Sequence, residues 1–281
     1  MTESVAMENV ETWSGKDRGE ENFPVGSVLI RADLRRHVHA YYAFARNADD
    51  IADSATLAPD DKIARLDGME AVLLGRRSGG SASAETLRAS LAETGVDPVH
   101  ATDLLAAFRR DATKLRYASW DELMEYCRVS AMPVGRYVLD LHGEDPATHK
   151  PSDALCASLQ VLNHIQDCAK DLLDIDRCYL PLDLMERFRV SVDALRGTQE
   201  TLGLRHVFDA LLDEIDVLNR EATKLPRLVR SRRLRLETAI IVGLAHRLAA
   251  RLRRGDPVAR RVALTKVDAA ASLLGALRFL P

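Results

Sequence analysis

The chain has 281 residues, 47% of them hydrophobic and 29% charged, with a formal net charge of −3; a chain of this make-up can bury a substantial core, and intrinsic disorder is excluded. Gly (15) and Pro (10) are sparse, and Ala, Leu, Arg and Glu recur at helical spacing with almost no alternating β-branched runs, so an all-α fold is expected. With no stretch of 18 apolar residues and no charged leader before an apolar segment, a helical membrane span and secretion are not indicated and a cytoplasmic protein is expected.

In chain order, residues 1 to about 20 are polar and expected to be frayed, ahead of a single domain over 21–281. A first strong helix is predicted from about Asp33 through Asp53, ending near the turn "LAPDDK". Pro59 and the acidic pair after it open a second helix to about Leu74, because proline suits a first helical turn and carboxylates suit its positive end. "GRRSGGSASA" (75–84) reads as a loop. Further helices are predicted at about 84–94, 97–115, 119–142, 152–176, 199–223, 234–254 and 262–279. The connections are short and no 20–50-residue period repeats, so the expectation is one bundle of helices around a central apolar cavity.

Two of these helices carry acid where the surroundings are apolar. Positions three, four, seven and eleven apart share a helix face. Tyr42, Arg46, Asp49 and Asp53 therefore line up in "FARNADDIAD", with Asp50 beside them. The pattern returns in "QVLNHIQDCAKDLLDIDR", where Gln160, Asn163, Asp167 and Asp171 share a face, with Lys170 and Asp174 adjoining. A single pair of aspartates four apart is most simply a solvated helix face. Two such pairs, each with a cation and a neutral hydrogen-bonding group inside an otherwise apolar helix, fit bulk water poorly, and carboxylates in a partly dry cavity need cations.

Mg²⁺ suits this donor set, since it takes one or two carboxylates, keeps several waters and completes its shell with phosphate oxygens. Two facing acidic helices would grip a diphosphate through bridging metal ions, which would offset the charge growing on the departing group. Ionisation to a carbocation is the chemistry implied, with Ala, Leu, Val and Phe on the helix walls to hold a long hydrocarbon.

Other features have plainer readings. Cys127, Cys156, Cys168 and Cys178 show no CxxC spacing and read as buried thiols. His37, His39, His142 and His164 read as surface or satisfied core histidines, Asp140 and Glu144 as structural, and Asp111 as a partner of Arg110 or Lys114. Residues 224–266 hold 13 Lys/Arg against Glu237 and Asp256. Without interleaved aromatics this basic region gives no support to nucleic-acid binding; a weak attraction to anionic lipid head groups fits it better.

"YAFARNADDIAD" early, "EYCRVSAMPVGRYVLDLHGE" in the middle and "LQVLNHIQDCAKDLLDIDRCYLP" later, in an all-α chain of this size, resemble the squalene and phytoene synthase family of isoprenoid synthases over about residues 20–270. The resemblance implies an isoprenoid-synthase helical bundle and Mg²⁺ bound at both acidic motifs. It implies metal or diphosphate ligation by Asp49, Asp53, Asp167 and Asp171, with Asn163 beside the second pair. It also places Arg46, Asn163, Gln160, Lys170, Arg177 and Tyr179 around the diphosphate, and counts Tyr42 before the first motif and Tyr126 on the cavity wall among the catalytic residues.

Within the family, "ENFPVGSVLIR", "SAMPVGR" and "NHIQDCAKD" look most like the bacterial hopanoid-pathway branch that converts presqualene diphosphate to hydroxysqualene. Three departures bear on this: Glu20 and Asn22 stand before Phe23 where serines are usual, Gln166 where an arginine usually precedes the second motif, and His246 where a late tyrosine is common. Head-to-head condensation must hold two diphosphates, so loss of a cation at Gln166 points to a substrate that carries one, unless Lys170 on the same helix supplies the missing charge.

The implied function is Mg²⁺-dependent ionisation of presqualene diphosphate, rearrangement and capture by water, without NADPH. The alternative is condensation of two farnesyl diphosphates to presqualene diphosphate, squalene or dehydrosqualene. A remote third reading is a catalytically silent scaffold of the same fold. A prenyl diphosphate is the implied partner, with weak peripheral contact at the inner face of the membrane and association with enzymes of the same pathway.

Overall fold

A computed structural model describes residues 9–11 and 29–279. The stretch expected to fray over 1–20 lies outside them apart from residues 9–11, as do Glu20, Asn22 and Phe23. Among the described residues the fold is all-α, and the one β feature is an isolated parallel bridge between Arg116 and Cys178. The chain divides into two compact units, residues 1–113 and 114–281.

The first unit holds α1 (Arg35–Ala52), α2 (Pro59–Leu73), α3 (Ala82–Thr94) and α4 (Val99–Asp111). Their ends follow local chemistry. Pro59 opens α2 with Asp60 and Asp61 in its first turn. Ser81 caps α3 by accepting from Ala84 N–H, and Gly95 ends it in the left-handed conformation. Phe44, Ala48 and Ile51 of α1 are fully buried, as are Leu66 and Met69 of α2, Leu87 of α3 and Leu105 of α4. The apolar side of α1 is thus the core of this unit, and the acidic stripe is what remains of its circumference.

The second unit holds α5 (Trp120–Ser130), α6 (Met132–Leu141), α7 (His149–Gln166), α8 (Cys168–Ile175), α9 (Leu182–Arg187), α10 (Leu202–Ala222), α11 (Leu225–Leu228), α12 (Arg232–Leu252) and α13 (Lys266–Ala276). Helix α7 is its axis, packed on α5, α6, α10 and α12. Gly135 marks the closest approach of α6 to α7: a Cβ there would overlap Ser152 Oγ and Cys156 Sγ. That accounts for the glycine in "MPVGR" by packing alone. Glu144 accepts from the N–H groups of Arg230 (2.6 Å) and Ser231 (2.8 Å) just before α12, a structural role as expected. Asp140, bonded to His149 at 2.7 Å, is structural too.

Two predicted helices are broken. The one expected over 119–142 divides at Ala131, since Pro133 lacks the N–H that would carry the ladder through. The one expected over 152–176 divides at Asp167, which ends α7 and opens α8. Short helices α9 and α11 were not expected, being too brief to show a period. The four cysteines are free thiols; burial raises Cys127 to about 12 and Cys156 to about 11.

Candidate functional site

In the first unit, helical spacing alone assembles an ion cluster on α1. Arg46 Nη1 lies 3.3 Å from Asp49 Oδ2 and its Nη2 3.2 Å from Asp50 Oδ1. These are i,i+3 and i,i+4 pairs, so the helix sets their geometry. Asp53 follows as the C-cap residue, its N–H bonded to the Asp49 carbonyl at 2.9 Å, and Tyr42 stands one turn before Arg46.

The cluster carries more acid than one guanidinium offsets. Asp49 keeps a 36% exposed side chain, yet the protein around it, then Asp53, push its carboxyl up to about 7 against the pull of Arg46. Asp50 and Asp111 raise it further. Asp111 is buried at the end of α4 and close enough to act on Asp49, so it belongs to this cluster. Lys114, one of the two partners suggested for it beside Arg110, is paired with Glu122.

In the second unit the break at Asp167 does not scatter the stripe. Asp167 N–H bonds to Asn163 O at 2.9 Å and Asp171 N–H to Asp167 O at 2.8 Å, so the four-residue ladder, and with it the shared face, passes through the junction. A cation from outside these helices joins the stripe: Arg261, whose Nε donates to Asp167 Oδ1 at 2.7 Å. Beside it, Gln166 Nε2 donates to the Val262 carbonyl at 2.5 Å. Lys170 is exposed and paired with Asp174 at 3.0 Å.

Behind this stripe lies a buried aromatic group. Tyr179 stacks on Tyr117 (centroids 5.4 Å apart) and on the His164 ring (3.5 Å), and Tyr126 leans on all three at 5.3 to 6.2 Å. Arg177, also buried, donates to Tyr179 Oη at 3.1 Å. Gln160 Nε2 and His164 Nε2 are 3.2 Å apart. Burial, and then the Arg177 charge, hold His164 down to about 3, so it is neutral at ordinary pH. Tyr126, Gln160, Arg177 and Tyr179 were named from sequence. Tyr117 and His164 belong with them, and only their neighbours in space reveal it. His37, bonded to Ser90 at 2.7 Å, is an ordinary satisfied core histidine.

Among the described residues, no group of three or more His, Cys, Asp or Glu side chains converges to hold a metal by itself. Each stripe instead offers carboxylate oxygens in a pair, Asp49 with Asp53 and Asp167 with Asp171. That oxygen-only set fits a Mg²⁺ ion that brings its remaining ligands from water and phosphate.

The chain matches the family model for squalene/phytoene synthase over residues 16–268. It is 45% identical to the hydroxysqualene synthase of Sinorhizobium fredii over 260 residues, 92% of this chain and 88% of that protein. It is 43% identical to the hydroxysqualene synthase of Rhodopseudomonas palustris, over 95% and 91% of the two chains. Among solved structures, a squalene synthase from Alicyclobacillus acidocaldarius superposes with a TM-score of 0.74 at 32% identity, covering 84% of this chain and 90% of that one. A dehydrosqualene synthase at 22% identity shares the fold, with a TM-score of 0.76 over 92% of each chain. With its paired acidic stripes on an all-α frame, the chain belongs to the squalene/phytoene synthase family and stands close in sequence to bacterial hydroxysqualene synthases.

Proposed function

We propose that this protein ionises presqualene diphosphate and directs the resulting carbocation to hydroxysqualene. The single observation that carries the reading is the pair of acidic helix faces, Asp49/Asp53 and Asp167/Asp171, each with a guanidinium already on it. Likeness to the hydroxysqualene synthases names the substrate. The central apolar cavity for the hydrocarbon, and one synthase domain over 21–281, are parts of the same proposal.

Asp49, Asp53, Asp167 and Asp171, with Asn163, would hold Mg²⁺. Mg²⁺ would supply Lewis-acid stabilisation of the charge that grows on the leaving diphosphate. Arg46, Asn163, Gln160, Lys170, Arg177 and Tyr179 would orient the diphosphate, with Tyr42 and Tyr126 beside the reacting carbons. The C–O bond to diphosphate breaks and its electron pair leaves with the phosphate oxygen. The cation left behind rearranges, a water oxygen adds to it, and that oxonium gives its proton to solvent. The faces of Tyr117, Tyr126 and Tyr179 would offer electron density to a cation without forming a bond to it.

Arg261 favours a second reading. It puts a guanidinium beside Gln166, so the charge at the second motif does not separate a substrate with one diphosphate from a reaction that holds two. Condensation of farnesyl diphosphate is therefore the alternative, and a silent scaffold has no use for two intact acid pairs.

Product analysis decides between them. Purified protein with Mg²⁺ is incubated with presqualene diphosphate and, separately, with farnesyl diphosphate, each with and without NADPH. The expected product is hydroxysqualene from presqualene diphosphate, unaffected by NADPH. Rapid consumption of farnesyl diphosphate moves the protein to the condensing branch, and squalene formed only with NADPH removes the water capture.

A cytoplasmic location, association with other enzymes of the pathway and weak contact with an anionic membrane face complete the proposal. Among the described residues no helix is long and apolar enough to cross a membrane.

A further inference from the structure

Helix α13 is amphipathic the wrong way round. Its inward stripe is Asp268, Ser272 and Ala276, all buried. Arg251 Nε donates to Asp268 Oδ2 at 2.6 Å and Arg247 Nε to Ser272 Oγ at 3.2 Å, both from α12. Gly243 lets the two helices close in, since a Cβ there would lie 3.1 Å from the Ser272 Cβ. The outward face carries Val267, Leu273, Leu274 and Leu277, which are 75, 46, 68 and 45% exposed. These fall on one side at helical spacing. Polar pairs thus seat α13 on α12, and its apolar ridge is left to solvent, the reverse of a helix that packs on a core.

Beside this ridge, between the end of α12 and the start of α13, opens a cavity of about 650 Å³ lined by Arg247, Arg251, Arg254, Arg260 and Arg261. Arg247, Arg251 and Arg261 have protein partners. The Arg254 and Arg260 side chains are exposed and make no hydrogen bond or ion pair among the described residues. From 247 onward the sequence has eight Lys/Arg against Asp256 and Asp268, and Asp268, which also lines the cavity, is paired with Arg251.

We infer that the α13 ridge and the adjoining arginine cavity form one docking surface for an anionic lipid bilayer. Leu274 and its neighbours would sink to the acyl boundary while Arg254 and Arg260 receive head-group phosphates. Charge complementarity selects this occupant: an apolar ridge alone would suit any greasy partner, but an arginine-lined cavity at its margin, with Arg254 and Arg260 uncommitted, matches a surface of phosphates. The inference deepens the membrane-contact part of the proposed function by naming the surface, and it is independent of the reaction catalysed.

The experiment is sedimentation of the whole protein with vesicles of phosphatidylcholine alone and of phosphatidylcholine and phosphatidylglycerol in equal parts, at low and high salt, with inorganic phosphate as competitor. Wild type, Arg254→Gln/Arg260→Gln and Val267→Gln/Leu274→Gln are compared. All four positions are exposed, so unchanged melting is expected and checked for each variant. Wild type should partition onto the anionic vesicles and be released by salt. The arginine variant should bind roughly thirtyfold more weakly, from about fivefold per cation lost. The ridge variant should lose at least about tenfold.

Wild type that ignores anionic vesicles overturns both the surface and the membrane contact. Variants that bind as wild type overturn the surface and leave the contact standing. If inorganic phosphate displaces the vesicles and the ridge variant still binds fully, the cavity is a free-phosphate site and the docking surface fails. Light scattering that shows a dimer dissolved by the ridge substitutions assigns the ridge to a second copy of the chain and overturns the inference as well.

Discussion

Arg261 grips Asp167 from 94 residues away, with Nε to Oδ1 at 2.7 Å and Nη2 to Oδ2 at 3.3 Å. The first aspartate of the second acidic stripe is therefore already neutralised by protein, much as Arg46 serves Asp49 and Asp50 on the first. A metal ion that uses Asp167 has to displace or share with that guanidinium. Arg261→Gln should lower the Mg²⁺ concentration needed for half-maximal rate several-fold, while raising KM for the diphosphate substrate because a mobile cation is lost. The pair is partly exposed, so stability should change by at most about 1 kcal/mol. Metal titration of the steady-state rate, with a melting curve beside it, separates the two effects.

Asp53→Ala and Asp171→Ala should each lower turnover by roughly two or more orders of magnitude, the scale of losing a principal electrostatic stabiliser. Far-ultraviolet circular dichroism should show unchanged helix content, because neither side chain holds the core. Near-normal turnover in a folded variant at saturating Mg²⁺ would falsify the assignment of that stripe.

Asp49 gives the stability a pH dependence of defined sign. Its folded pKa of about 7 lies above the ordinary 3.8, so between those values the native state binds a proton that the unfolded chain has released. Stability from this group is full below about 4 and is lost as pH rises through 7. Asp49→Asn, which cannot ionise, should therefore raise Tm over wild type at about pH 8 and leave it nearly unchanged at about pH 4. Melting curves of both proteins without metal test this. A variant less stable than wild type at the higher pH would show that the carboxylate is needed structurally.

Two glycines predict opposite outcomes. Gly135→Ala forces a methyl against Ser152 and Cys156 where α6 meets α7, and should cost about 1 to 3 kcal/mol by overpacking. Gly275→Ala, in α13 with nothing within 4 Å of the added carbon, should stabilise by about 0.5 to 1 kcal/mol through helix propensity. Thermal unfolding of both reads the difference directly.

The acidic stripes were legible in the sequence because they are properties of single helices. Spacings of three, four and seven residues place Arg46 against Asp49 and Asp50 whatever the rest of the chain does, and the ladder through Asp167 preserves the second stripe even where the helix breaks. The start of α2 was legible for a similar reason: Pro59, with Asp60 and Asp61 after it, suits a first helical turn.

What only the tertiary structure decided lies between elements distant in sequence. The cation beside Gln166 is Arg261 because residues 261 and 262 come back onto the α7–α8 junction, and no local period encodes that return. Asp111 joins Asp49 through the packing of α1 and α4, and His164 joins Tyr117 through the bridge that sets Cys178 beside Arg116. The outward ridge of α13 is the clearest case. Its leucines and valine would be assigned to a core from their spacing, but Arg247 and Arg251 bind the opposite, polar side, and two part-buried charge-assisted hydrogen bonds fix which face turns in.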